Sequence, residues 1–574
     1  MDQKRLLLAI AISFVILFGY QFLAERYLPH PAPAPVAATS ARAPAPSGGP
    51  AAAAAPAPPR VPAPRVAIDA PSLRGSINLR GAKIDDLLLT KYRVSQAPGA
   101  PDVRLFARRD TKHPYYAQFG WSAAAGEQLA LPGPETVWTA SPGPLSPGHP
   151  VTLSWNNGAG LTFRIVLTID RHYMFDVSQS VANAGATPVS LYPWERIRRD
   201  YTPPPSGDYI LFEGLTGVAH DRLQEMGYPK AKSDAKGKPG NVAYHATSTG
   251  GWAGFTDKYW LGALIPEQSI PATLRYRYIP GGDGHYQVDY VPAAAETVAP
   301  GGQASLASHL FAGAKVVNLL DAYESRLHIP QFDKAVDFGW FYWITKPIFY
   351  ALDYFNALLG NFGLAIMAFT VCVKLLFFPL ANYSYRSMSK MRLLAPRVTA
   401  LRERYKDDPQ KQQQEMMALY KAEKVNPASG CLPMLIQVPV FFSLYKVIFI
   451  TIEMRQAPFY GWIHNLSAID PTNVFTLFGL IPWHPGAISP FLHMGLLPIL
   501  MGLTMFGQQK LNPPPPDPVQ AKLFLFMPVI FTFMMGRFPA GLVLYWTWNN
   551  LLSIGQQWLI MRSTRLSKPG LARS

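Results

Sequence analysis

The chain has 574 residues, 49% of them hydrophobic and only 15% charged, so it is too long for one ordinary domain and greasier than most soluble proteins. Its formal charge of +16 fits contact with anionic lipid, ribosome or nucleic acid, and where the charge lies along the chain has to decide among them. Cysteine occurs only at Cys372 and Cys431, and no His/Cys cluster, phosphate-cradling glycine loop or nucleophile motif is visible, so no covalent chemistry, metal or cofactor is expected and the chain does not read as an enzyme.

The first apolar run, 6–23, follows Lys4 and Arg5, carries no charge and is long enough to cross a bilayer with its amino end inside. It is longer than the apolar region of a usual cleaved signal peptide, which favours a retained anchor at 1–28. A Pro/Ala tract at 29–65 is too poor in large apolar side chains to build a core and reads as a linker.

Between 66 and 337, short runs of alternating apolar and polar residues recur at 75–79, 151–155, 161–170, 173–181, 274–279 and 285–291, ending in Asn, Asp, Gly or Pro. Antiparallel sheets with one wet face have this pattern, so an extracytoplasmic β-sandwich is expected, held by packing because the region has no cysteine. A helix at 314–324 should lead back toward the membrane.

The segment 338–359 is rich in aromatics but holds Lys346, Pro347 and Asp353, which suits a helix lying in the interface plane. Five further apolar segments follow within 360–381, 431–451, 491–508, 523–538 and 541–561, making six spans with the anchor. The segments 381–430 (ten Lys/Arg), 509–522 (two) and 562–574 (four) alternate with 452–490, where Arg455 is the one Lys/Arg. That asymmetry places both termini in the cytoplasm. The piece 382–430 reads as two amphipathic helices turning near Asp407, Asp408 and Pro409, with a net charge of +5. It is either a solvated hairpin or a docking site.

Lys374 is the one charge inside 362–380, and a charge within a span is costly unless it is hydrated or paired. Pattern alone leaves two possibilities: a wet cavity, or a lysine snorkelling about 9 Å to the helix end. Thr370 lies one turn earlier on the same face, and Trp546, Asn550, Ser553 and Gln557 form a polar stripe on the last span. Such a stripe either lines water or glues helices together. The stretch 523–538 is short for a bilayer, about 24 Å of helix, and should thin it locally or kink at Pro528.

From 336 onward the wording FGWFYWITKPIFYALDYFNALLGNFG, FFPL, SMSKMRLLAPRV, QEMMALYKAEKVNP, GCLPMLIQVPVF, RQAPFYGWIHNLSAIDP, GLTMFGQQK and FMPVIFTFMMGRFPAGLVLYW resembles the YidC family of membrane insertases, related to mitochondrial oxidase-assembly and chloroplast Albino-type proteins. Upstream, GGWAGFTDKYWLGALIP and 298–310 resemble the Gram-negative type, whose large domain is periplasmic. The resemblance implies an α+β membrane protein of the inner membrane: a six-span helical bundle carrying a periplasmic β-sandwich, acting as insertase and chaperone.

It also implies a hydrophilic groove with a basic residue at the position of Lys374. That residue is usually arginine in the family, so this chain keeps the charge but not the bidentate fork. Thr370 matches a substrate-contacting position, Gln509 and Trp546 match groove-lining positions, and Gln437 fits either groove or helix glue. Implied partners are nascent membrane proteins, the lipid bilayer, the Sec translocon with its accessory subunits, and ribosome and targeting receptor through the cytoplasmic hairpin, with no sequence-specific nucleic acid. A polytopic transporter would also need a wet intramembrane charge, but it would normally show more spans or paired broken helices. A sugar- or peptide-binding scaffold rests on sandwich analogy alone. Because all the groove candidates lie after 360, the periplasmic domain is expected to be largely dispensable for insertion.

Overall fold

The computed structural model describes residues 63–204, 211–423, 425–426, 432–481, 483, 493–512 and 518–566. The run at 6–23, nearly all of the Pro/Ala linker and the tail beyond 566 lie outside the described residues.

Alternation becomes sheet where it was expected. In Leu161–Ile169 every second side chain is buried, and Val189–Arg199 repeats the pattern over its whole length. Period two on a pleated strand puts one set of side chains toward the core and the other toward water. The described strands form two antiparallel sheets, of ten and nine strands. In the larger sheet Val189–Arg199 lies between Tyr115–Ala123 and His285–Pro292. In the smaller, Gln303–Ala314 lies between Met174–Asn183 and Trp260–Ile265.

Phe106, Phe163, Phe175, Trp252 and Phe255 are fully buried within the sandwich core. Arg199 is among the charged residues buried there, and it makes two bonds to Asp257, at 2.8 and 2.7 Å, and a third to the Tyr228 hydroxyl at 2.6 Å. Its guanidinium also lies 4.2 Å from the Tyr115 ring centroid, so the cation is held on several sides at once.

Ten α-helices are described. The first, α1 (Tyr228–Ala235), lies on the sandwich, and α2 (Val317–Leu327) leaves it. The expected start of α2 at 314 is too early, because Ala314 is still paired with Trp260 in the sheet. Next come α3 (Tyr342–Leu359), α4 (Phe362–Leu376), α5 (Phe378–Arg404), α6 (Pro409–Ala422), α7 (Leu432–Ile450), α8 (Leu496–Leu511), α9 (Pro518–Met535) and α10 (Ala540–Leu566). The side chain of Asn361 caps α4 by accepting from the amides of Gly363 and Leu364, at 2.9 and 3.2 Å.

The segment read as one span over 362–380 is instead broken at Phe377, and α5 leaves α4 at 67°. Pro379 explains the break, since its ring is suited to the first turn of a new helix and cannot continue the old ladder. Among the described residues no single helix is long and apolar enough to cross a membrane. The bent pair α4 and α5 passes that test together, and Ile436–Ile450 and Lys522–Met535 are shorter apolar stretches. The helix at 523–538 starts earlier than read, at Pro518, but Lys522 still limits its uncharged part to about 20 Å.

In the bundle, α10 packs against α8, α4, α5 and α7. Gly502 of α8 faces the Thr532 side chain so closely that a Cβ would not fit. Several polar contacts fix the sandwich on the bundle. Gln96 donates to the carbonyls of Gln456 and His464, at 3.0 and 2.9 Å, and Arg455 donates to the Arg93 carbonyl at 2.7 Å. Lys346 of α3 bridges Asp321 and Asp333, at 2.9 and 2.5 Å. Asp321, Glu324 and Asp333 are spaced closely enough to suggest a metal site, but the Lys346 ammonium supplies the positive charge there.

Candidate functional site: a cationic cavity between helices

Lys374 stands in the last turn of α4, just before the break. Its ammonium lies 2.6 Å from the hydroxyl of Ser553 on α10, and Ser553 itself donates to the Asn549 carbonyl at 2.7 Å. The lysine therefore turns into the bundle rather than along its helix to the interface, which is the opposite of the snorkelling geometry. No carboxylate lies within ion-pair distance of it among the described residues. A cation held only by a hydroxyl inside helices retains unsatisfied donors and calls for water or an anionic visitor.

Two adjoining cavities, of about 50 and 240 Å³, open beside this ammonium. Lys374 and Gln437 line both, Thr370 lines the smaller, and Gln509 and Trp546 line the larger. The five positions expected from sequence thus converge on one place. Their hydrogen-bonding states differ. Thr370 is buried and donates to the Ile366 carbonyl of its own helix at 2.6 Å, so its donor is spent. Gln437 is bonded to Tyr545. Gln509 donates to the Phe524 carbonyl, while its own carbonyl oxygen is buried with no partner among the described residues. Trp546 is wedged between Phe441 and Phe531, with ring centroids 4.7 and 5.7 Å away.

The polar stripe on α10 divides. Asn550 donates to Thr504 at 3.2 Å, and Gln557 donates to the Leu511 carbonyl and to Asn512, at 3.1 and 3.2 Å, so these two tie α10 to the α8 end. Ser553 goes to the cation instead. The sequence reading missed Tyr385, which is bonded to Ser553, and Tyr545 and Asn549, which line both cavities. Tyr545 and Asn549 each precede a residue of the stripe that was read, Trp546 and Asn550, and recur at four-residue spacing with Ser553, which belongs to both.

Comparison with known proteins agrees with this architecture. Residues 65–351 match the family model of the YidC periplasmic domain, and residues 354–568 match that of the 60Kd inner membrane protein. The membrane protein insertase YidC of Acidiphilium cryptum is 58% identical over 98% of both chains. That of Granulibacter bethesdensis is 56% identical over the whole of both. A crystal structure of an active YidC insertase with its first transmembrane domain resolved aligns with 86% of this chain and 91% of its own, at 18% identity and a TM-score of 0.35. The chain belongs to the YidC family of inner-membrane protein insertases, with the family's periplasmic domain ahead of its helical part.

Proposed function

We propose that the protein inserts client membrane proteins, and helps them fold, by drawing a client's polar leading segment into the cavity beside Lys374. The observation that carries this reading is a partly buried ammonium with a hydroxyl but no carboxylate for a partner among the described residues, next to an open space lined by polar and apolar side chains. An acidic leading segment supplies the missing counter-charge, and at low local dielectric that attraction is larger than in water. The client's apolar helix then leaves sideways into lipid, and removal of its surface from water drives the step. The short uncharged part of α9 lowers the distance to be crossed by thinning the bilayer.

In this reading the chain has six spans with both termini cytoplasmic, and the basic α5/α6 hairpin receives ribosome, targeting receptor or nascent chain. The Sec translocon and its accessory subunits act beside it for larger clients. Thr370, Gln437, Gln509 and Trp546 line the client's path with Lys374.

The test is reconstitution of the purified full chain in liposomes with a small single-span client bearing an acidic tail. Protease protection of that tail without an added energy source is the expected result. A tail that stays digestible in vesicles containing folded protein would overturn the reading.

A further inference from the structure

A larger cavity, of about 920 Å³, lies away from Lys374, where the sandwich meets the bundle. One side is the sandwich edge with Phe212 and Glu225, another the connecting segment from Lys334 to Phe341, and the third the stretch of α7 carrying Phe442, Tyr445 and Lys446. Its size suits a small amphipathic ligand.

The lining combines two cations with two carboxylates. Lys446 is paired with Asp337 at 2.8 Å, and Asp337 also accepts from the amides of Phe212 and Gly339, each at 3.1 Å. Gly339, at φ +73°, makes this approach feasible, because a Cβ there would press on the Lys446 stem at 2.9 Å. Lys334 donates to Gln331 at 2.8 Å, which uses one of its three protons. The Glu225 carboxylate faces the cavity with no ion pair among the described residues. Partial burial and the nearby Asp337 raise its pKa, while Lys446 and Lys315 act in the opposite direction, so the carboxylate sits among charges of both signs.

Trp340 in the lining is 98% exposed, which is costly in water and ordinary at the headgroup level of a bilayer. Among the described lining residues, two ammonium groups and two carboxylates present both signs of charge, which complements a ligand that is itself neutral overall but dipolar.

We propose that this cavity is a binding site for the phosphoethanolamine headgroup of a membrane lipid. The primary ammonium lies toward Glu225, the phosphate toward Lys446 and Lys334, and the first methylenes against Phe442 and Trp340. Phosphoglycerol lacks the ammonium that Glu225 calls for. Phosphocholine brings a cation with no N–H to donate, and its recognition would require an aromatic cage around that cation.

The full-length protein is titrated in mixed micelles with phosphatidylethanolamine, phosphatidylcholine or phosphatidylglycerol, and retained lipid is read by native mass spectrometry. The parent should retain the ethanolamine lipid on the order of tenfold better than the other two, the size of one charge-assisted hydrogen bond. Glu225→Gln should remove that preference, and Glu225→Lys should turn it toward phosphatidylglycerol. A photoactivatable phosphatidylethanolamine should label peptides spanning 334–345. Equal retention of the three headgroups, an ethanolamine preference unchanged in Glu225→Lys, or labelling confined to residues that do not line the cavity would overturn the proposal. Glu225 sits at an exposed sheet edge, so its variants should fold, and an unchanged thermal melt verifies this.

Discussion

The backbone amide of Val317 donates to the Glu453 carboxylate across 2.9 Å, so the first turn of the helix leaving the sandwich is held by a side chain from the bundle. With the Lys346 bridge to Asp321 and Asp333, this makes α2 part of both bodies. Burial alone would raise the Asp333 carboxyl, but bonds from Lys346 and Tyr342 outweigh it and hold the group below its ordinary range. Removing the lysine would leave Asp321 and Asp333 facing each other without a cation. Lys346→Met should therefore weaken docking by about 3 kcal/mol, as for other broken buried pairs, and raise amide exchange across 317–335. Unchanged exchange there would assign docking to the remaining contacts.

The same interface modifies the expectation that the periplasmic domain can be cut away freely. A deletion of 66–321 removes Val317 and Asp321, and with them the partner of Glu453 and one of the two carboxylates that Lys346 bridges. A deletion of 66–314 keeps both. The shorter deletion should retain several-fold more insertion at matched protein levels, judged by immunoblot and protease protection. Equal activity of the two truncations would show that the bundle does not need these contacts.

Docking should also depend on pH. Burial pushes the Glu453 carboxyl up to about 7, against the bond from Val317, and one of its oxygens is buried with no partner among the described residues. Asp353 adds repulsion, whereas Arg455 nearby is turned to the Arg93 carbonyl. Between the ordinary carboxyl pKa and 7 the docked state holds a proton that the undocked state has lost. The stability due to this group is therefore full at low pH, falls as pH rises toward 7 and is flat above it, a loss on the order of 3 kcal/mol. Glu453→Gln keeps an oxygen to accept from Val317 and should flatten the dependence. Melting of the parent and the variant from pH 5 to 8 tests this, and parallel profiles would sink it.

Much of this architecture could be read from local pattern, because two-residue alternation and runs of uncharged residues are local properties. The strands around 151–156, 161–169 and 285–292 were legible in that way. The bend at Phe377 was not, since hydropathy runs unbroken through FFPL and only the backbone consequence of Pro379 marks it. Docking was illegible for a different reason. Val317 and Glu453 are 136 positions apart, and neither residue type announces the other. Lys374 stood out as a lone charge, but its partner Ser553, 179 positions away, looked like any small polar residue on a helix.

The α5/α6 hairpin is held together by Arg397 and Glu423 at 2.9 Å and by Gln412 donating to the Arg402 carbonyl at 3.1 Å, both at exposed or half-buried positions. Exposed pairs of this kind contribute little, about 0–1 kcal/mol, so the proposed docking role of its ten basic residues is tested by removing the hairpin rather than a single pair. Replacing 390–421 by a short flexible closure should slow insertion of ribosome-delivered clients and impair growth when the native protein is depleted. Unchanged rates at matched protein levels would return the hairpin to a solvated ornament.

The cation beside the cavity, Lys374, gives the sharpest test. If Lys374 attracts acidic leading segments through water, sign and position matter more than donor geometry, because Coulomb attraction survives a change of donor. Lys374→Arg should stay active. Lys374→Ala should lower insertion of acidic-tailed clients by about tenfold, the worth of roughly 1.4 kcal/mol, and Lys374→Glu should do worse by adding repulsion. A client whose tail is made neutral or basic should lose its dependence on the residue. Ser553→Ala separates positioning from charge: it removes the hydroxyl 2.6 Å from the ammonium but leaves the cation, so it should cost less than Lys374→Ala and affect acidic clients alone. A lysine that served only as an interface anchor would behave differently, with Lys374→Ala tolerated for every client. The measurement is protease protection of client tails in vesicles with variant levels matched by immunoblot. Equal activity of Lys374→Glu and the parent on acidic clients would remove the electrostatic role and leave the cavity working by hydration alone.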